Sequence, residues 1–190
     1  MEKDYTEKIK QMNEELKNDR KEFETLQGYE TILEALVYKI YDLFGKNALL
    51  SMTYQIGVGP GEELAANLLE MREGKKFKDP LKALTFVLKR HKEYYNVKIL
   101  EINEEEVEIK NQKYNKIIVK QQNKCFFRNS LKKKSRLRIG GPLCRINKGY
   151  YEKVFSEITG YKCEIGFIRD DKDNDVCIES IVFYVPKSYI

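Results

Sequence analysis

Gly140-Gly141-Pro142-Leu143-Cys144-Arg145-Ile146-Asn147-Lys148-Gly149-Tyr150-Tyr151, running on to Ile158-Thr159-Gly160, is the stretch on which the fold turns. After a Gly/Pro break, Leu143, Ile146, Tyr150, Tyr151, Val154, Phe155 and Ile158 recur at three- and four-residue steps, which defines one apolar face of a helix. Proline suits the first helical turn, where its missing N–H is not needed, and Gly160 suits the stop, where the chain turns left-handed. Two strand-like runs follow, near 161–169 and 176–185.

Working outward, Val97–Ile102, Val107–Ile109 and Ile117–Val119 are short, rich in β-branched residues and partly alternating, so they predict strands in a meander. Before them Asp79-Pro80 is an N-cap and first-turn pair for a helix through Leu84, Val87 and Leu88 to about Tyr95. From Tyr29 to Phe44 a wide stripe through Ile32, Leu33, Leu36, Val37, Ile40 and Leu43 predicts a helix entering a core and ending at Gly45. Residues 47–56 continue as helix. Gly57-Val58-Gly59-Pro60-Gly61 then predicts a kink, with a new helix opening at Glu62 and Glu63. The order helices, strands, helix, strands implies an α+β fold, an antiparallel sheet with helices packed on one face.

Residues 4–27 carry a narrower stripe: Tyr5, Ile9, Met12, Leu16, Phe23 and Leu26, interrupted by Asp19. This is an amphipathic helix that either lies on its own domain or forms a short coiled coil across a dimer. The organisation expected is therefore an N-terminal helix over 1–28 and a domain over 29–190.

With 190 residues, 42% hydrophobic and 12% aromatic, the chain can bury one core, so wholesale disorder is excluded. A net charge of +5 permits an anionic partner without requiring one. No apolar run is long enough to span a bilayer, and the N-terminus is charged from Glu2, so a cytoplasmic location is expected. The four cysteines, Cys125, Cys144, Cys163 and Cys177, are then thiols or metal ligands rather than disulfides.

Few constellations suggest chemistry. The glycines at 57–61 lack the preceding strand of a dinucleotide site and the terminal Lys-Ser/Thr of a P-loop. The single histidine, His91, sits among cations without an obvious acid or nucleophile, and no nucleotide fingerprint is present, so a non-enzymatic protein is expected. Arg128, Lys132, Lys133, Lys134, Arg136 and Arg138 form a basic patch suited to an anionic membrane surface or acidic partner. One nearby aromatic pair, Phe126 and Phe127, is too little for a nucleic-acid module. Cys144, Cys163 and Cys177 lack any C-x-x-C spacing, and a zinc or redox site would need the fold to bring them together. The apolar face of the 142–159 helix serves equally as core or as the wall of a ligand pocket.

The Gly-Pro-Leu-Cys helix start, Leu33-Glu34-Ala35-Leu36-Val37, Tyr54-Gln55-Ile56-Gly57-Val58 and the Lys76–Pro80 turn together resemble the superfamily that joins 4-vinyl-reductase domains to the small scaffold subunits of the TRAPP tethering complex. The resemblance spans roughly 29–185. It implies helices on one face of an antiparallel sheet and pairing through those helices, as a homodimer or with a paralogous subunit. The vinyl-reductase branch implies an archaeal or bacterial module binding an apolar small molecule; the TRAPP branch implies a scaffold that meets a membrane or protein. In zinc-binding sensors of the first branch, cysteines at places like Cys144 and Cys177 take part, but Gly166 and Arg169 stand near the Glu and third Cys expected between them. In the second, Lys76 stands where an acylated cysteine is expected, which excludes a thioester there. The function expected is ligand sensing or assembly; the alternatives are a TRAPP-like scaffold and a thiol- or zinc-based sensor.

Overall fold

The computed structural model describes residues 12–14, 25–132 and 138–187. In chain order these form helices α1 (Thr25–Glu70) and α2 (Pro80–Arg90), strands β1 (Tyr95–Ile109) and β2 (Gln112–Cys125), helices α3 (Phe127–Lys132) and α4 (Pro142–Thr159), and strands β3 (Lys162–Asp171) and β4 (Val176–Pro186). The chain divides into two units, Met1–Leu36 and Val37–Ile190. In the first, the described residues 12–14 and 25–36 are helical. The amphipathic stripe expected over 4–27 otherwise falls outside the described residues.

In the second unit the sheet order is β1-β2-β4-β3, and every neighbouring pair is antiparallel. The fold is therefore α+β, as the sequence implies. Alternation at Ile117, Val119, Ile181, Phe183 and Val185 buries one sheet face. Against it lie Val154, Phe155 and Ile158 of α4 and Ala83, Leu84 and Val87 of α2, in one continuous core. The Phe155 and Phe183 rings meet edge to face at 5.6 Å.

Several boundaries differ from expectation for identifiable reasons. The runs at 97–102 and 107–109 belong to one strand, β1, which reverses into β2 at Lys110-Asn111. Both turn residues have positive φ, 52° and 63°, the pairing whose twist matches that of the flanking strands. Asp79 caps α2 as predicted, accepting from the Leu81 N–H at 2.9 Å and the Lys82 N–H at 3.2 Å. The helix stops at Arg90, however, because Tyr95 already opens β1.

Gly45 breaks the helical path, at φ 79° and ψ 177°, so α1 is two helices meeting at that residue. Gly57–Gly61 does not break it. The helix runs through that stretch with Pro60 inside, and a close crossing accounts for the glycines. A β-carbon on Gly57 would strike the Ile146 carbonyl of α4, one on Gly61 would lie 2.6 Å from the Tyr150 carbonyl oxygen, and one on Gly149 would strike the Tyr54 carbonyl. The glycines let α1 and α4 touch backbone to backbone. Gly141, Pro142 and Gly160 punctuate α4 as predicted, Gly160 in the left-handed region at φ 76° with its N–H on the Ser156 carbonyl.

Candidate functional site

The inward alternation of β2 does not end with Ile117 and Val119; it continues into Gln121 and Asn123, which are polar yet buried, with only 4% and 6% of their surface exposed. Antiparallel register places Glu179 of β4 directly opposite Gln121, with Asn123 two residues along on the same face. Both amide nitrogens donate to one carboxylate oxygen, Glu179 Oε2, at 3.4 Å from Gln121 and 2.9 Å from Asn123. That orientation leaves Gln121 Oε1 and Asn123 Oδ1 buried without a partner. Burial raises the Glu179 carboxyl above the usual carboxylate range, and the two amide donors only partly offset it.

These groups line a cavity of about 320 Å³ between α4 and the sheet. Its aromatic and apolar wall comes from Tyr95 and Val97 of β1, Tyr151 and Phe155 of α4, Ile165 and Phe167 of β3, and Ile181. The size falls at the lower end of the range for small-molecule pockets, and with Gln121, Asn123, Arg145, Asn147, Lys148 and Glu179 in the lining the cavity is more polar than most of them. A larger opening beside α1, lined by Tyr38, Tyr41, Lys46 and Arg138, shares Gly140 and Arg145 with this cavity.

The phenols are held. Tyr95 donates to Asn147 Oδ1 at 3.0 Å, and the Tyr151 hydroxyl lies 3.0 Å from His91 Nδ1. Burial is the first cause of the upward shift of both phenols and of the downward shift of His91, so all three are neutral at physiological pH. His91 is half-buried beside the Tyr150 and Tyr151 rings instead of standing among cations. Lys148 is likewise engaged: it donates to the Ile165 carbonyl at 2.6 Å and pairs with Glu152 at 3.2 Å. Glu152 also accepts from the Ile165 N–H and from the Tyr54 hydroxyl, whose pKa is pushed up to about 12, first by burial.

The cysteines expected as a metal set do not form one. Cys163 pairs with Phe183 at one end of the β3–β4 ladder, while Cys177 pairs with Asp170 near the other. Seven residues of strand separate the two levels, roughly 23 Å, so Cys144, Cys163 and Cys177 cannot share an ion. Among the described residues no group of three or more His, Cys, Asp or Glu side chains is arranged to hold a metal. Cys144 lies in the cavity wall and accepts from the Gly140 N–H at 3.2 Å; burial pushes its thiol to about 11 and that of Cys177 to about 12. Both are protonated at neutral pH. The spacing of these three cysteines does not fit one shared zinc ion.

Beside Cys177 the structure places a guanidinium. Arg128, expected in the basic patch, is only 1% exposed. Its Nε donates to Asp175 and its Nη2 to Asp170, both at 2.7 Å, and Nη1 reaches Cys177 Sγ at 3.2 Å. It is engaged inside the chain and unavailable to an outside anion. Arg138 is exposed. Lys133, Lys134 and Arg136, and the side chain of Lys132, lie outside the described residues.

Tyr151 and Phe155 of the cavity wall are visible in the periodicity of 142–159, whereas nothing in that periodicity points to Tyr95, Phe167, Gln121, Asn123 or Glu179. The usable signal was the run Ile117-x-Val119-x-Gln121-x-Asn123, where an inward face turns from apolar to amide without changing period.

No family model matches the chain, and no curated protein matches it. Among solved structures it is similar to the phenol-responsive sensory domain of the transcription activator PoxR, determined with phenol, at a TM-score of 0.50 and 17% identity. That match covers 82% of this chain and 74% of the other. At this identity the likeness shows the fold. No helix among the described residues is long and apolar enough to cross a membrane.

Proposed function

We propose that this chain is a non-enzymatic small-molecule sensory module of the 4-vinyl-reductase type, whose ligand occupies the cavity between α4 and the sheet. The observation that carries the reading is that cavity: about 320 Å³, walled by Tyr95, Tyr151, Phe155 and Ile181, with Gln121, Asn123 and Glu179 at its polar side. Such a lining suits a ligand with an apolar body and a polar group at one end. The fold shared with a phenol-responsive sensory domain supports the class of function. So does the state of the lining: the protonated Cys144 thiol and the held Tyr95 and Tyr151 phenols suit contact better than nucleophilic attack. The Gly-Pro-Leu-Cys helix start supports the finer family assignment.

Leu43, Phe44 and Ile56 of α1 remain exposed. They favour pairing with a second copy as the way in which ligand occupancy is read out, which light scattering with and without ligand measures.

Phenol is the first probe to titrate, by calorimetry and thermal shift. Saturable binding is expected, with a rise in Tm, because a ligand that binds only the folded state stabilises it by mass action. Val97→Phe, which fills the cavity from the edge strand, should abolish both effects while leaving the far-UV circular dichroism unchanged. Phenol binding that survives Val97→Phe would place the ligand elsewhere.

A further inference from the structure

We infer that the cavity selects ligands with a carboxylate head, received by Arg145 where the cavity meets the opening beside α1. This rests on the ligand-binding reading above and adds the chemistry of the ligand's head.

The use made of each arginine points there. Arg72 stacks on Phe77 and donates to the Lys75 carbonyl, and Arg90 stacks on Phe86 and donates to its carbonyl. Arg128 bridges Asp170 and Asp175, and Arg169 reaches Asp171 at 4.0 Å. Among the described residues only the guanidiniums of Arg138 and Arg145 have no hydrogen-bond, ion-pair or ring partner. Arg145 is half-buried on the first turn of α4, a turn that holds no acidic residue. A guanidinium that gives up part of its hydration without gaining a partner favours any anion that reaches it, and its planar fork matches a carboxylate.

Its position suits the head of a ligand. Arg145 lines both the cavity and the outer opening, and Arg138 and Lys46 line that opening with it, against Asp42 as the one acid there among the described residues. Within the cavity the lining carboxylate is Glu179, whose Oε2 already accepts from Gln121 and Asn123. Like charge turns an anionic head away from the sheet and towards Arg145. Lys148 does not compete for it, being engaged with Glu152 and the Ile165 carbonyl. Arg145 and Tyr151 stand six residues apart on α4, about 9 Å of helix rise. An arylalkanoate covers that span, with its acid at the first and its ring at the second.

The test compares 3-phenylpropanoate with 3-phenylpropanamide, alike in shape but differing in charge, by calorimetry on the full chain at neutral pH. The acid is expected to bind at least about tenfold more tightly, the margin typical of a charge-assisted pair over a neutral one. Arg145→Gln, with unchanged far-UV circular dichroism, should bring the two within about twofold. Equal affinity in the parent, or a preference for the amide, overturns the carboxylate assignment and leaves the cavity as a ligand site. A preference for the acid that persists in Arg145→Gln also overturns it, as does a parent that binds phenol but not the acid at millimolar concentration. If phenol fails to bind as well, the ligand-binding reading falls with it.

Discussion

Glu179 is the residue whose environment departs furthest from what its type prefers. Its carboxyl is raised because burial disfavours the charged form more than two amide donors favour it. The native state thus holds the proton to a higher pH than the unfolded chain does. A raised folded pKa gives stability that is complete below the unfolded value and lost as pH rises through the folded one. Glu179→Gln removes that loss, so its Tm should match the parent in acid and exceed it increasingly from the ordinary carboxylate range up to neutral pH. A difference that is flat with pH, measured by calorimetry across that window, would contradict this account. Arg128 presents the opposite balance. Its guanidinium is buried while Asp170 and Asp175 keep 24% and 32% of their side-chain surface, so solvent screening tempers the loss on breaking the pairs. Arg128→Met should cost about 2–3 kcal/mol in urea unfolding, and Arg128→Lys should recover little, because a point charge cannot donate to both carboxylates and the thiol at once. Neither residue's role could be read from the chain. A cluster of cations does not reveal which member turns inward, and the Gln121–Glu179 pair exists only once β2 and β4 are in register.

At the scale of elements, the glycines of α1 and α4 carry unequal consequences. Gly149 meets the Tyr54 carbonyl, and any β-carbon there forces the helices apart; Gly59 has nothing within 4 Å beyond its chain neighbours, of which Pro60 is one. Gly149→Ala is therefore expected to destabilise by about 2 kcal/mol or more through overpacking at a backbone contact. Gly59→Ala should fall short of the gain of about 0.5–1 kcal/mol that helix propensity alone would give, because in helical backbone its β-carbon meets the ring of Pro60. Chemical denaturation of the two variants beside the parent decides it, and a loss at Gly149 no larger than that at Gly59 would mean that the helices do not touch backbone to backbone there. The sequence pointed to a kink at these glycines because Gly-x-Gly-Pro-Gly is a breaker wherever the chain is judged on its own. What overrides local propensity is the partner helix, whose approach along Ile146, Gly149 and Tyr150 is a tertiary fact. Where an element is set by its own backbone, as at Asp79-Pro80 or Gly141-Pro142 and Gly160, the local reading and the structure coincide.

For the molecule as a whole, the antiparallel platform and the helices on it were legible because burial follows period: two along β2 and β4, three and four along α4. The cavity was half legible for the same reason. Tyr151 and Phe155 belong to one helix, whereas Tyr95 and Phe167 come from β1 and β3 and the polar side, Gln121, Asn123 and Glu179, from two strands far apart in the chain. The same topology predicts an uneven distribution of stability. β1 is an edge strand, and its residues Glu101–Glu106 are all exposed, whereas β2 and β4 lie inside the sheet, with Val119 and Phe183 wholly buried. Opening the outer half of β1 breaks one ladder and uncovers little apolar surface. Opening β2 breaks two ladders and the core against α4. Native-state hydrogen exchange should therefore show Glu101–Ile109 amides exchanging through local opening at low denaturant dependence, with Val119–Gln121 and Ile181–Phe183 exchanging only through global unfolding. Bound phenol should slow the second group by the free energy of binding while leaving the outer half of β1 almost unchanged, because its partner residues in β2, Gln112–Lys120, do not line the cavity. Equal protection of both groups, or ligand-dependent slowing centred on the β1–β2 turn, would show that the ordering element is the hairpin and not the helix-covered centre of the sheet.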